Sequence, residues 1–192
     1  MSGNIKMRHP HFLKPVILLH PIIPKPLHGL NPRFLRGQAW WDQQRFAAYA
    51  RNNYCCWACG VDKAAAKYHQ WLEGHECYVI DYAAGTAEMI VVAALCHACH
   101  AAIHSGKLEM DLEAGKITLD KHDQILAHKQ RVLSDHADLL PATNPFILHP
   151  DKFANWQDWR LLIDGVRVKT RFANFEDWKK FYSGGSKSEQ KN

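Results

Sequence analysis

The sequence predicts an α+β protein built round a small ββα unit that a four-cysteine zinc site staples together. Three observations predict it. Two Cys-x-x-Cys pairs, Cys56/Cys59 and Cys96/Cys99, stand 36 residues apart, with Gly60 to Leu95 between them. Within that interval His75 to Tyr82 and Ala87 to Leu95 are rich in β-branched and aromatic residues, and Ala83-Ala84-Gly85-Thr86 supplies a turn, the pattern of a β-hairpin. Directly after the second pair, His100-Ala101-Ala102-Ile103-His104 should begin a helix that Gly106 ends.

The cysteine pairs carry the strongest chemical signal. Each lets a tight turn present two thiolates to one ion, and four thiolates complete a closed tetrahedral site of the structural kind. A binding free energy of roughly 10 kcal/mol would offset the weak core of so small a unit. Cys55 is an alternative to Cys56 with looser spacing to Cys59, and Cys77, within the hairpin, reads as a packed thiol.

The rest of the chain falls into consecutive segments. Residues 1–37 form a basic Pro- and His-rich arm, expected to be extended because X-Pro steps recur through it. Residues 38–106 hold a helix followed by the zinc unit: Trp41, Arg45, Ala48 and Tyr49 recur at helical spacing from Gln38 to Asn52. Val61 to Lys67 suggests a short helical turn. Residues 107–140 read as a second hairpin, Lys107 to Leu119 turning at Ala114-Gly115, and then a helix from Asp120 to His136. Residues 141–183 begin with a Pro-marked linker and end in a hairpin turning at Asp164-Gly165 and a helix capped by Asn174. Residues 184–192 form a polar tail expected to be disordered.

Composition narrows the class. No apolar run approaches the ~18 residues that span a bilayer, and Pro15, Pro21, Pro24 and Pro26 interrupt the apolar N-terminal stretch. A cytoplasmic protein without a membrane partner is therefore expected, and in a reducing compartment six cysteines point to metal or chemistry before disulfides. The net charge of +5 is uneven. Residues 1–54 carry eight Lys or Arg against the single acid Asp42, whereas residues 55–150 carry seven against twelve acids. Basic flanks round an acidic centre suit a protein that grips phosphates at its edges and holds cations in the middle. Arg33, Arg36, Arg45 and Arg51 are the expected nucleic-acid contacts. The tryptophans, among them Trp40, Trp41, Trp156, Trp159 and Trp178, read as core or anchoring residues.

A second constellation lies beside the knuckles. His100 and His104, four apart on a helix, share a face. A strand carrying His75 and Glu76 can lie across that face, since both elements are tied to the same zinc. Together the four side chains can hold one divalent ion with open positions, which is the arrangement that polarises a scissile phosphate. Asp81 is a candidate outer orienter, His97 is expected to be exposed, and nothing in the sequence fixes His69.

The layout of Tyr54 to Gly106, and in particular Leu72-Glu73-Gly74-His75-Glu76 with Ala94-Leu95-Cys96-His97-Ala98-Cys99-His100-Ala101-Ala102-Ile103-His104, resembles the zinc-stapled HNH endonucleases of phage and bacterial genomes. The resemblance implies a ββα-metal unit that hydrolyses phosphodiester bonds, on double-stranded DNA first, with its unit against the minor groove. It implies His75 and His100 as ligands of a catalytic Mg²⁺, Mn²⁺, Ni²⁺ or Zn²⁺, with His104 near metal and phosphate. The terminal Trp159-Arg160-Leu161 and Phe175-Glu176-Asp177-Trp178 segments resemble an accessory module of such proteins. Two positions depart from the pattern. Glu76 stands where the family carries the His that activates water, and Val91 stands in place of its middle Asn. The competing expectation is a non-catalytic zinc-containing adaptor or nucleic-acid-binding protein derived from the same unit. Protein partners are not written in the sequence.

Overall fold

A computed structural model describes residues 7–21, 23–142 and 153–184. It is a mixed α+β protein with six α-helices and one four-stranded sheet among those residues. The helices are α1 (Pro32–Arg36), α2 (Gln38–Arg51), α3 (His97–Ile103), α4 (Ser105–Glu113), α5 (Leu119–Asp135) and α6 (Phe175–Gly184). The strands are β1 (Glu73–Asp81), β2 (Thr86–Leu95), β3 (Arg160–Ile163) and β4 (Val166–Lys169), in sheet order β1-β2-β3-β4. No described helix is long and apolar enough to cross a membrane. The linker centred on residues 143–152 and the tail from 185 lie outside the described residues.

The chain forms two compact units, each assembled from three separate stretches where the sequence suggested consecutive segments. The β1–β2 hairpin runs through both. Its burial parity records the change: His75 and Cys77 are buried in the first unit, then Tyr78 and Ile80 in the second. In a pleated strand that is a switch from one face to the other.

Among the described residues the first unit holds 7–21, 42–77 and 92–142. Its arm is not plain extended chain. Pro15–Leu19 forms a 3₁₀ turn, with Pro15 set at the position where a missing N–H costs nothing. The buried Asn52 holds the arm down: its Oδ1 accepts from the His11 and Phe12 N–H groups at 2.8 and 3.0 Å, and its Nδ2 donates to the Cys55 and Cys56 carbonyls. Asp62, also buried, accepts from the Arg8 N–H at 2.6 Å. Lys63–Ala65 forms the expected short turn, its first free N–H satisfied by Asp62.

The expected hairpin over Lys107 to Leu119 is instead helix α4. Gly115 (φ +65°) is not a hairpin turn but the left-handed residue that ends the helix. The Gly115 N–H donates to Leu112 O and the Lys116 N–H to Asp111 O, the paired bonds of a Schellman stop. Nor does Gly106 end α3: the helix stops at Ile103, His104 forms the joint, and Gly106 lies inside α4. Ala102, Leu108 and Ile125 then pack α3, α4 and α5 together.

Among the described residues the second unit holds 23–41, 78–91 and 153–184. Leu27, Tyr78, Ile80, Ala87, Trp159, Leu161 and Ile163 form its core. Strand β3 pairs with β2 in parallel (Thr86 opposite Arg160) and with β4 antiparallel through the Asp164-Gly165 turn, where both residues have positive φ. Gly85 (φ +69°) is required where it stands, because a Cβ there would lie 2.7 Å from the Ala154 Cβ. Asn174 caps α6 as expected, its Oδ1 accepting from the Asp177 N–H at 3.0 Å.

Candidate metal centre

The knuckles come together as the spacing predicts. The Gly60 N–H donates to Cys56 O and the Cys56 N–H to Val61 O, folding the first pair into a turn. The Trp57 N–H donates to Ala94 O at 2.8 Å and ties that turn to the end of β2. Cys96 is the N-cap of α3, so the second pair sits at the start of a helix, where partial positive charge favours thiolate. One sulfur from each of Cys56, Cys59, Cys96 and Cys99 lies within 4.8 Å of the others. The Cys59 and Cys96 sulfurs are 3.7 Å apart, too far for a disulfide at about 2.05 Å. A regular tetrahedron with metal–sulfur bonds of about 2.3 Å has edges of about 3.8 Å. The four sulfurs therefore suit one zinc-like ion.

Proton chemistry says the same. Without a cation the sulfurs compete for protons: interaction with Cys56 first, then with Cys96, pushes Cys59 far up, and Cys56 first likewise raises Cys99. Hydrogen bonds from Cys56 foremost, then Cys59 and Cys99, hold Cys96 far down. A divalent ion removes that conflict. His128 on α5 places Nε2 3.3 Å from the Cys99 sulfur, an outer partner that the sequence did not reveal. Cys55 and Cys77 are buried and belong to no ligand group among the described residues.

The histidines converge beside the knuckles. Ligand nitrogens of His75, His100 and His104 all lie within 4.8 Å of one another. Ring centroids are 5.6 Å apart for His75–His100, 5.0 Å for His75–His104 and 4.6 Å for His100–His104. The break between α3 and α4 does not disturb the pair on the helix, because the His104 N–H still donates to His100 O at 3.2 Å.

His75 is the telling member. It is 4% exposed, and neither ring nitrogen has a hydrogen-bond partner. A buried polar group left so costs about 1–3 kcal/mol, and native proteins rarely tolerate it without a ligand. Desolvation, then the neighbouring His104, His100 and His20, lower its pKa to about 2. The neutral ring thus keeps a lone pair for a cation. His104 is exposed at the edge of the group. Enough of its ring faces protein for desolvation, then His100, to lower it to about 4.

The carboxylate at this site is Glu73, not Glu76. Residues two apart on a strand share a face, so Glu73 follows His75 and Glu76 does not. Glu73 Oε2 lies 2.5 Å from His100 Nδ1, and Oε1 lies 2.9 Å from His97 Nδ1 and 2.8 Å from His69 Nε2. Burial opposes the charged form, but hydrogen bonds from His100 and then His97 outweigh it and hold Glu73 well below the usual carboxylate range. Glu76 belongs to neither histidine group, and burial raises its pKa. His97, expected to be exposed, is half-buried against Glu73. The sequence also missed His20, which the arm brings edge-on to His75 at 5.7 Å between centroids.

The four arginines are placed differently from one another. Arg36 pairs with Asp164 at 3.4 Å and Arg45 with Asp42 at 2.6 Å, while Arg33 and Arg51 are exposed. Asp81 is exposed and accepts from the Ala84 N–H in the hairpin turn, so it orients no ligand. The protein is thus of mixed α+β fold, with a four-cysteine cluster that could hold a metal such as zinc. Scans of family models, curated proteins and solved structures found no match to this chain.

Proposed function

We propose that the protein is a metal-dependent endonuclease of the HNH type, hydrolysing phosphodiester bonds in DNA, with a structural zinc on Cys56, Cys59, Cys96 and Cys99. The observation that carries the reading is the buried His75, neither of whose ring nitrogens has a hydrogen-bond partner and one of which lies within 4.8 Å of ligand nitrogens of His100 and His104. His75 from β1 with His100 and His104 from the end of α3 is a donor set for one divalent ion of the Mg²⁺, Mn²⁺, Ni²⁺ or Zn²⁺ kind with open positions. Such an ion, when bound, withdraws charge from a phosphate and from the leaving oxygen.

The chain's own residues do the rest. Glu73 fixes His100 by accepting its Nδ1 proton, which leaves Nε2 as the donor nitrogen. His75 excludes water by its burial. We assign to His20, edge-on to His75 at 5.7 Å, the part of taking the proton of the attacking water, the role the resemblance gives to the position of Glu76. Exposed Arg33 and Arg51 hold phosphates by charge. The placement of Glu76 outside the cluster favours a second reading, a zinc-containing DNA-binding or adaptor protein that does not cut.

A plasmid-nicking assay across Mg²⁺, Mn²⁺, Ni²⁺ and Zn²⁺ separates the two. Nicking that EDTA and His100→Ala abolish supports the nuclease. Purified protein that shifts DNA and never nicks it supports the binder, and cutting indifferent to His100→Ala rules the proposed site out.

A further inference from the structure

Glu73 has two oxygens, and the site above uses one. Its Oε1 sits between His69 Nε2 at 2.8 Å and His97 Nδ1 at 2.9 Å. Ligand atoms of these three residues lie within 4.8 Å of one another, making a third potential ligand group. His69 and His97 are half-buried, with ring centroids 4.9 Å apart.

The His69 ring is held with Nε2 toward Glu73. Its Nδ1 is 3.2 Å from Trp71 O, and a carbonyl can only accept, so Nδ1 carries the proton. In the neutral ring Nε2 then has a lone pair, aimed at a carboxylate oxygen. Two lone pairs at 2.8 Å repel, and either a proton or a metal ion between them relieves the repulsion. The ring is also held in place, stacked on Trp71 at 3.7 Å and 4°. Ligands at about 2.0–2.2 Å from one tetrahedral ion stand about 3.3–3.6 Å apart, so a shared ion needs the present 2.8 and 2.9 Å contacts to widen by about half an ångström.

We propose that His69 Nε2, Glu73 Oε1 and His97 Nδ1 form a separate site for a divalent cation of the zinc class (Zn²⁺, Co²⁺ or Ni²⁺), outside both the four-cysteine cluster and the three-histidine site. A donor set of two imidazoles and one carboxylate suits these borderline ions better than Mg²⁺. The ion would not form a directly bridged pair with the first, because Glu73 Oε2 faces His100 Nδ1. The two positions are joined through one carboxylate and one imidazole, so the side chain that orients His100 also senses whether the outer position is filled. The site requires nothing of the phosphodiester reading, only the geometry around Glu73.

The test is zinc stoichiometry of the full chain, equilibrated with excess Zn²⁺ and desalted, with Co²⁺ absorption to follow the sulfur site. Wild type should hold about three equivalents, His69→Ala about two, His75→Ala about two and the double variant about one. The thiolate-to-Co²⁺ band should be unchanged in all four. His69→Gln, which keeps a donor toward Glu73, must lose the same equivalent and serves if the alanine variant melts early. A His69 variant that binds as much zinc as wild type overturns the inference and leaves an imidazolium–carboxylate pair. If His69→Ala loses an equivalent and His75→Ala loses none, this site stands and the three-histidine site falls; the reverse result overturns this one alone.

Discussion

Glu73 on β1 places its Oε2 2.5 Å from Nδ1 of His100 on α3, and so sets the tautomer of a ring 27 residues further along the chain. Outer partners of this kind alter metal affinity by about 10–100-fold. Glu73→Gln should weaken the three-histidine site by that factor in a Mn²⁺ or Zn²⁺ competition titration and leave the four-cysteine site filled. Unchanged affinity would mean that His100 is oriented by something else.

His75 gives a prediction independent of activity. In protein stripped of the ion at this site, two buried nitrogens lack partners. Replacing the ring with a hydrocarbon removes that cost, so His75→Leu should raise metal-free stability by about 1–3 kcal/mol while abolishing binding at the site. Thermal melts with and without added ion should cross over between wild type and variant.

The same rings set a pH dependence. His75 and His104 have folded pKa values of about 2 and about 4, below their ordinary 6.5. The unfolded chain therefore binds more protons between those values and 6.5, and stability rises with pH across that interval. Unfolding midpoints of zinc-loaded protein should fall as pH drops below 6.5, and the fall should be shallower for His75→Leu. Bound metal deepens the dependence, because protons compete for the same lone pairs.

Removing the zinc-like ion should be structural in effect. Cys96→Ser opens the cluster at the residue that caps α3 and should unfold the first unit, seen as lost helical signal and protease sensitivity near residue 60. A variant that keeps wild-type helicity after losing its metal would show that packing alone holds the knuckles.

Asn52 is buried and joins the arm to the first knuckle through four hydrogen bonds. Asn52→Ala strands the His11 and Phe12 amides and should cost about 2 kcal/mol or more. Limited proteolysis between residues 8 and 20 should report it first.

These placements also show what local sequence can reveal. The knuckles, the β1–β2 hairpin, α2, α5 and the Asp164-Gly165 turn were legible because their signals lie within a few residues. α4 was not, because Gly115 serves a hairpin turn and a Schellman stop equally well, and only the seat of Leu108 against Ile125 decides. The exchange of Glu76 for Glu73 was within reach, since strand alternation alone puts residue 73 on the face of residue 75. His20 and His128 were not: their neighbours, His75 and Cys99, are 55 and 29 residues away in the chain.

The arm carries a consequence for the order of assembly. Residues 8–20 leave the ribosome before their hydrogen-bond partners Asn52 and Asp62, which lie 41 and 54 positions later, and His20 must then await His75. Contacts that span so much chain form late, after loop-closure entropy has been overcome. The arm is thus the last to settle, and until it does, the imidazoles near the knuckles stand open to whatever cation reaches them first.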